Sequence, residues 1–125
     1  MVQADIAQLS GECTGWRESL RNYREEFNKC KSRLQQLTNH TLSKDDLTQV
    51  EHYQNQFHIQ LINIHDLKQS IKQHDRKVNY EMEHGNVSNE TLAEHENLFD
   101  QYQQMQHTLD ELRTEFDDFS RLRTQ

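Results

Sequence analysis

The fold class is decided by residues 3–37, QADIAQLSGECTGWRESLRNYREEFNKCKSRLQQL. Apolar residues recur through this stretch in alternating steps of three and four. That spacing places them on one face of an α-helix, at the core positions of a heptad repeat. This row, the first seam, consists of Ile6, Leu9, Cys13, Trp16, Leu20, Tyr23, Phe27, Cys30, Leu34 and Leu37. It predicts one helix from about Gln3 to Leu37.

A second helix is predicted over about residues 44–83. Ser43 precedes it and Asp46 lies in its first turn, a pattern typical of a capped helix start. An apolar residue then recurs every seven positions, as Val50, Phe57, Ile64, Ile71 and Val78. Further core candidates flank this row on both sides, with Leu47, Leu61 and Met82 on one side and Tyr53, Leu67 and His74 on the other. Two partly apolar flanks indicate a helix that packs against two partners.

A third helix is predicted over about residues 88–122. Gly85 suits the end of the preceding helix, and Ser88 suits the N-cap of the next. The third seam is predicted as Leu92, His95, Phe99, Tyr102, Met105, Leu109, Leu112, Phe116, Phe119 and Leu122. Two successive steps of three, from Phe99 to Met105, interrupt the heptad and predict local overwinding of the supercoil.

These elements predict an all-α chain in which residues 1–125 form one bundle. The chain has no proline and three glycines, which favours long helices. Short connections join antiparallel neighbours, so the expected topology is an up-down-up, left-handed bundle of three long helices. At 1.5 Å per residue the rod is about 50 Å long.

The charge and the hydropathy of the chain limit which partners and which cellular compartment are expected. The formal net charge is −7, which argues against a nucleic acid partner. The sequence contains no apolar run of about 20 residues, so no membrane span is expected. The N-terminus resembles no secretory signal, and Cys13 and Cys30 lie about 25 Å apart on one helix, too far for a disulfide. A cytoplasmic location is expected, and the glycosylation patterns at Asn39, Asn86 and Asn89 are interpreted as turn residues.

Several motifs resemble the spectrin-repeat family. The second helix opens with Asp46-Leu47-x-x-Val50, and His65-Asp66 is similar to the family's central His-Glu pair. Gly85 followed by a heptad resembles the family's entry into the third helix, and Trp16 is an inward tryptophan of the first. The chain departs from the family where Tyr102-Gln103 replaces a large aromatic residue, and in its longer stretch from Trp16 to Asp46. The resemblance implies a spacer in the cytoskeleton or in an adaptor protein.

The sequence predicts no catalytic, cofactor or metal site. Eight histidines are present, but no paired Glu-x-x-His motif or other facing ligand set is recognisable. His74 and His95 occupy core or core-flank positions near the same end of the rod, with the two loops centred near Leu42 and Val87, and they are expected in different layers. We hypothesise that they form a pH-sensitive part of the core.

The resulting functional prediction is a non-enzymatic structural or protein-interaction module. The alternative is a small helical protein that forms a homodimer or receives a partner helix in a groove. That alternative requires surplus apolar surface. Ile59, Ile62 and Leu98 fall outside the predicted seams and are therefore the candidate partner contacts.

Overall fold

The computed structural model describes residues 6–123, with the side chain of Ile6 left out, and contains three helices in that range. They are α1 (Ile6–Leu37), α2 (Lys44–Glu83) and α3 (Asn89–Arg123). The all-α, three-helix prediction is confirmed, and α2 has the predicted bounds. The predicted start of the first helix at Gln3 and the seam position of the Ile6 side chain lie outside the described part. None of the three helices is long and apolar enough to cross a membrane.

Contacts between helices define the topology. α1 and α3 run parallel, because successive polar contacts advance together along both helices: Tyr23 to Asp110, Glu26 to Arg113, and Arg33 to Asp117. α2 is antiparallel to both. Its first turn meets the end of α3 where Asp46 contacts Arg123, and its last third meets the start of α3 where His74 contacts His95.

The seam of α1 lies in the core as predicted. Its described members are buried, apart from Tyr23, which is partly buried: Leu9, Cys13, Trp16, Leu20, Phe27, Cys30, Leu34 and Leu37. In the third of the rod nearest the turn between α1 and α2, the Phe57 ring lies 5.6 Å from Phe27 and 5.0 Å from Phe116, between ring centroids. One aromatic ring from each helix therefore fills the same region, and all three are fully buried.

The arrangement of α2 corrects part of the sequence argument. The row from Val50 to Val78 is buried, together with one flank only, formed by Tyr53, Leu67 and His74. On the other flank Leu47 and Met82 are exposed. The prediction that both flanks are partly buried was therefore wrong for most of that flank, although the three-helix arrangement inferred from it is right.

The seam of α3 also differs from the prediction. Its inward residues are Thr91, His95, Leu98, Tyr102, Met105, Leu109, Leu112, Phe116 and Phe119, with Met105 only partly buried. This row alternates steps of four and three without interruption, so the predicted overwound segment was wrong. Phe99 is 40% exposed and Leu98 only 6%. Leu92 likewise gives way to Thr91, which is fully buried.

Hydrogen bonds at the turn before α3 explain why Thr91 and Leu98, rather than Leu92 and Phe99, face the core. The Ser88 hydroxyl accepts a hydrogen bond from the Thr91 backbone N–H at 3.1 Å, as an N-cap does. The Glu81 carboxylate accepts one from the Ser88 N–H at 2.8 Å and one from the Thr91 hydroxyl at 2.6 Å. These bonds fix Thr91 on the inward face, and every later seam residue follows from that start.

Residues in the two turns cap the ends of the helices as predicted. The Ser43 hydroxyl accepts a hydrogen bond from the Asp46 backbone N–H at 3.0 Å and caps α2. After α2, Gly85 has a φ of 141°, a conformation that residues with a Cβ rarely adopt. Asn39, Asn86 and Asn89 are exposed at or beside these turns.

Replacing Gly85 with alanine is expected to lower the free energy of unfolding by about 1–3 kcal/mol, because alanine is strained at this φ. Gly11 and Gly15 provide matched controls. They lie inside α1, where an added Cβ meets no atom within 4 Å. Alanine at either position is expected to raise stability by about 0.5–1 kcal/mol. Urea denaturation of the three variants tests this, and equal effects at Gly85 and Gly11 would contradict the assigned backbone conformation.

Candidate functional site

One layer of the core is polar, and it combines a residue from each helix. Cys13 comes from α1, His74 from α2 and His95 from α3, and the three residues are 0%, 2% and 6% exposed. Each residue lies on the buried face of its helix, so the helices themselves direct the three side chains to a common point. The layer lies near the end of the rod that contains the start of α1 and the turn between α2 and α3.

The three side chains converge closely. His74 Nε2 lies 2.9 Å from His95 Nδ1, and Cys13 Sγ lies 4.0 Å from the same His95 nitrogen. One nitrogen from each histidine and the cysteine sulfur all lie within 4.8 Å of one another. A thiol and two imidazoles at this separation are the set of groups that binds zinc or copper in proteins.

The outward nitrogen of each histidine contacts a carboxylate. His74 Nδ1 donates a hydrogen bond to Glu94 Oε1 at 2.6 Å, and His95 Nε2 donates one to Glu12 Oε2 at 3.2 Å. A neutral imidazole has one N–H, so a donor on the outside leaves an acceptor lone pair on the inside. The inward nitrogens of His74 and His95 therefore face each other as acceptors. Such a pair is stabilised by a shared proton or by a cation between the rings.

Acidic groups surround the layer. The pKa of the Cys13 thiol is raised to about 12, first by burial and then by the negative charges of Asp75 and Glu12. The pKa of Glu94 is lowered, chiefly by its hydrogen bond from His74. Asp75 also accepts a hydrogen bond from the Ser10 hydroxyl at 2.8 Å, which links α1 to α2 beside the layer. Without a cation the Cys13 thiol is protonated at neutral pH.

Aromatic rings cover one side of the layer. The indole of Trp16 lies 4.8 Å from the His95 ring, and the rings of Phe99 and Tyr102 stack on the indole at 5.8 and 5.9 Å. Phe99 is thus a partly exposed cover over Trp16. This packing shields the imidazole of His95 from solvent and fixes its orientation.

The three candidate partner contacts predicted from the sequence lie in different environments in the structure. Ile59 and Ile62 are 45% and 48% exposed. Leu98 is part of the core, so its suggestion as a partner contact was wrong. The error followed from the assignment of Phe99 to the seam, because the adjacent Leu98 was then predicted to face solvent.

The two histidines singled out are buried, but their predicted separation into different layers was wrong. The loop between α2 and α3 had been centred near Val87. The midpoints of the pairs Asp46–Arg123 and His74–His95 instead fall between residues 84 and 85. That shift brings the rings into contact, with centroids 5.1 Å apart. The pH sensitivity of this pair stays a prediction.

Cys13 was not predicted as a partner of the histidines. The signal was partial, because the two histidines interrupt otherwise apolar core rows, whereas Cys13 counts among the apolar residues of its row. Recognising it required the relative register of three helices, which the turn geometry sets. Cys13 and Cys30 are both free and buried, and both lie on α1.

Comparison with models of protein families, with curated proteins and with solved structures finds no match to this chain. The structure supports a three-helix, all-α bundle. The resemblance to the spectrin-repeat family therefore depends on the sequence motifs quoted above.

Proposed function

We propose that this chain is a non-catalytic structural module, a rigid spacer of the spectrin-repeat type that acts in the cytoplasm. The observation that carries the proposal is the parallel arrangement of α1 and α3. With three long helices, the chain enters the bundle at one end and leaves it at the other. A rod of this topology keeps whatever is joined to its two ends about 50 Å apart.

Contacts along the whole length support a rigid rod. At one end Glu12 of α1 meets His95 of α3, and further along Arg113 of α3 donates two hydrogen bonds to Glu26, at 2.9 and 3.1 Å. At the other end the Arg123 guanidinium lies 2.7 Å from Asp46 and 4.2 Å from the centroid of the Phe119 ring. Polar contacts at both ends and a closed apolar core between them resist bending. The buried, unpaired cysteines suit a reducing compartment.

A second candidate function is protein binding on the outer face of α2. Ile59 and Ile62 are three positions apart, so they lie on neighbouring turns of the same face. Both are close to half exposed. Two adjacent β-branched residues can contact an apolar side of a partner helix or of a second copy. Single exposed apolar residues are common, and a patch of two supports weak association.

Light-scattering mass and small-angle X-ray scattering on one size-exclusion peak test the proposal. A monomer with a maximum dimension of about 50–60 Å is expected, from the length of the helices at 1.5 Å per residue. A compact, nearly spherical particle would contradict the spacer. A dimer would favour the second candidate.

If a dimer is found, the double variant Ile59→Glu/Ile62→Glu distinguishes the responsible surface. The variant is expected to be monomeric if these residues form the interface. Tyr80→Glu is the matched control, because Tyr80 is 62% exposed and lies elsewhere on α2. Dissociation by Tyr80→Glu alone would assign the interface to the other region of the helix.

A further inference from the structure

We propose that Cys13, His74 and His95 bind one Zn²⁺ ion, which links all three helices at one end of the rod. This replaces the prediction that the chain has no metal site. The ligands are the Cys13 sulfur, Nε2 of His74 and Nδ1 of His95. The inference is independent of the spacer function, because a zinc ion in this layer acts within the bundle.

The distances lie close to those of a zinc site. Zinc binds imidazole nitrogen at about 2.0–2.1 Å and thiolate sulfur at about 2.3 Å, usually with tetrahedral geometry. Tetrahedral angles then place two nitrogens about 3.3–3.4 Å apart, and a nitrogen and a sulfur about 3.5–3.6 Å apart. The nitrogens of His74 and His95 are 2.9 Å apart, and Cys13 Sγ is 4.0 Å from the His95 nitrogen. Small side-chain movements, which separate the rings and bring the sulfur closer, complete the geometry.

The surrounding carboxylates orient the ligands for a metal. Histidines that bind metals almost always donate their other N–H to a carboxylate, a backbone carbonyl or a water molecule, which fixes the tautomer and strengthens the ligand. Here Glu94 serves His74 and Glu12 serves His95. Both carboxylates are on the outer side of the rings, and both inward lone pairs are directed at the same space. This arrangement is present for each histidine, on two different helices.

The charges near the layer favour a cation. Glu12, Glu94 and Asp75 are negative, and the Lys77 ammonium lies 3.6 Å from Glu94. Arg17 also acts on the Cys13 thiol. Three acidic groups thus face two basic ones. When zinc binds, the Cys13 thiol loses its proton to solvent and the Zn–S bond forms, so the ion binds as Zn²⁺ with one thiolate and two neutral imidazoles.

The fourth zinc position is assigned to a water molecule, since three protein ligands leave one position open. Trp16 packs against His95 and shields that side of the layer. The alternative occupant of the space between the histidines is a single shared proton. That alternative needs no contribution from Cys13, and this difference decides the test.

Zinc loading of tag-free protein is the first measurement, because a histidine tag would itself bind the ion. After removal of metals with a chelator, the folded protein is titrated with Zn²⁺ alone, and the bound metal is measured by mass spectrometry. One zinc per chain is expected, with a rise of several degrees in Tm at a zinc concentration about 100 times Kd. No retained zinc would overturn the proposal in favour of the shared proton.

Cys13→Ala and Cys30→Ala form a matched pair for this experiment. Both residues are buried cysteines on the seam of α1, and only Cys13 approaches the histidines. Circular dichroism of the metal-free variants checks that both fold. Cys30→Ala is expected to retain stoichiometric zinc and Cys13→Ala to lose it. Equal binding by the two variants, or loss in Cys30→Ala alone, would overturn the assignment.

Two further measurements separate this layer from the surface histidines. With Co²⁺ in place of zinc, a thiolate-to-metal absorption band is expected for the unmodified chain and for Cys30→Ala, but not for Cys13→Ala. Glu94→Gln is expected to weaken zinc binding about 10–100-fold, the usual effect of removing a carboxylate behind a histidine ligand. A Co²⁺ spectrum without the thiolate band, or unchanged affinity in Glu94→Gln, would contradict the proposed ligand arrangement.

Discussion

Replacing Phe57 with alanine is expected to lower the free energy of unfolding by about 3–5 kcal/mol. The ring is fully buried and lies between Phe27 of α1 and Phe116 of α3, so its removal leaves a cavity that borders all three helices. Chemical denaturation monitored by circular dichroism at neutral pH measures the loss. Because the total stability of a domain is about 5–15 kcal/mol, this single change removes a large part of it.

Ile59→Ala is the control for this experiment. Ile59 lies two residues further along α2, and its side chain is 45% exposed. A change within about 0.5 kcal/mol is expected, as is usual for surface substitutions. A loss at Ile59 as large as the loss at Phe57 would place Ile59 in a contact that the monomer does not provide, and would direct attention to self-association.

The second prediction with a large effect on stability tests which residues of α3 face the core. Leu98→Ala is expected to cost about 2–5 kcal/mol, because Leu98 is a core residue. Phe99→Ala is expected to cost no more than about 1.5 kcal/mol, although phenylalanine is the larger side chain. Phe99 is 40% exposed, and its main contact is stacking on Trp16, which contributes on the order of 0.5–1.5 kcal/mol.

Thermal or urea denaturation of these two variants compares adjacent positions in one helix, so the two substitutions differ chiefly in the burial of the side chain that is removed. The order of the two losses is the critical result. A larger loss for Phe99→Ala than for Leu98→Ala would restore the interrupted seam predicted from the sequence and would contradict the observed register of α3.

The fold was predictable because α1 carries its core row with few competing residues and α2 carries a buried apolar residue every seven positions. In α1 every third or fourth residue is apolar and its neighbours are polar, so the phase is unambiguous. α3 allows two assignments of its core-facing row, because Leu92 and Phe99 could occupy the core positions in place of Thr91 and Leu98. Hydrophobicity alone favours the wrong pair. The hydrogen bonds from Ser88 and Thr91 to Glu81 select the right phase, and they involve a residue of the preceding helix.

The polar layer was not predictable from the spacing within any one helix. Each helix contributes a single ligand, whereas recognisable metal motifs place two ligands close together in sequence. The layer forms only when the turn around Gly85 sets the pairing of α2 with α3. An error of a few residues in the centre of that turn separates His74 from His95 by a full helical turn. The sequence therefore indicated that Cys13, His74 and His95 face inward but not that they meet.

The parallel packing of α1 against α3 has a consequence for the order of folding. His74 and His95 are 21 residues apart in the chain, whereas Cys13 and His95 are 82 apart. Loop-closure entropy costs about 0.6 kcal/mol more for each doubling of length, so the longer closure costs about 1.2 kcal/mol more. The α2–α3 hairpin is therefore cheaper to close than the α1–α3 contact. The turn between α1 and α2, residues 38–43, is about as short, so the α1–α2 hairpin closes as cheaply and the parallel pair α1 and α3 is expected to meet last.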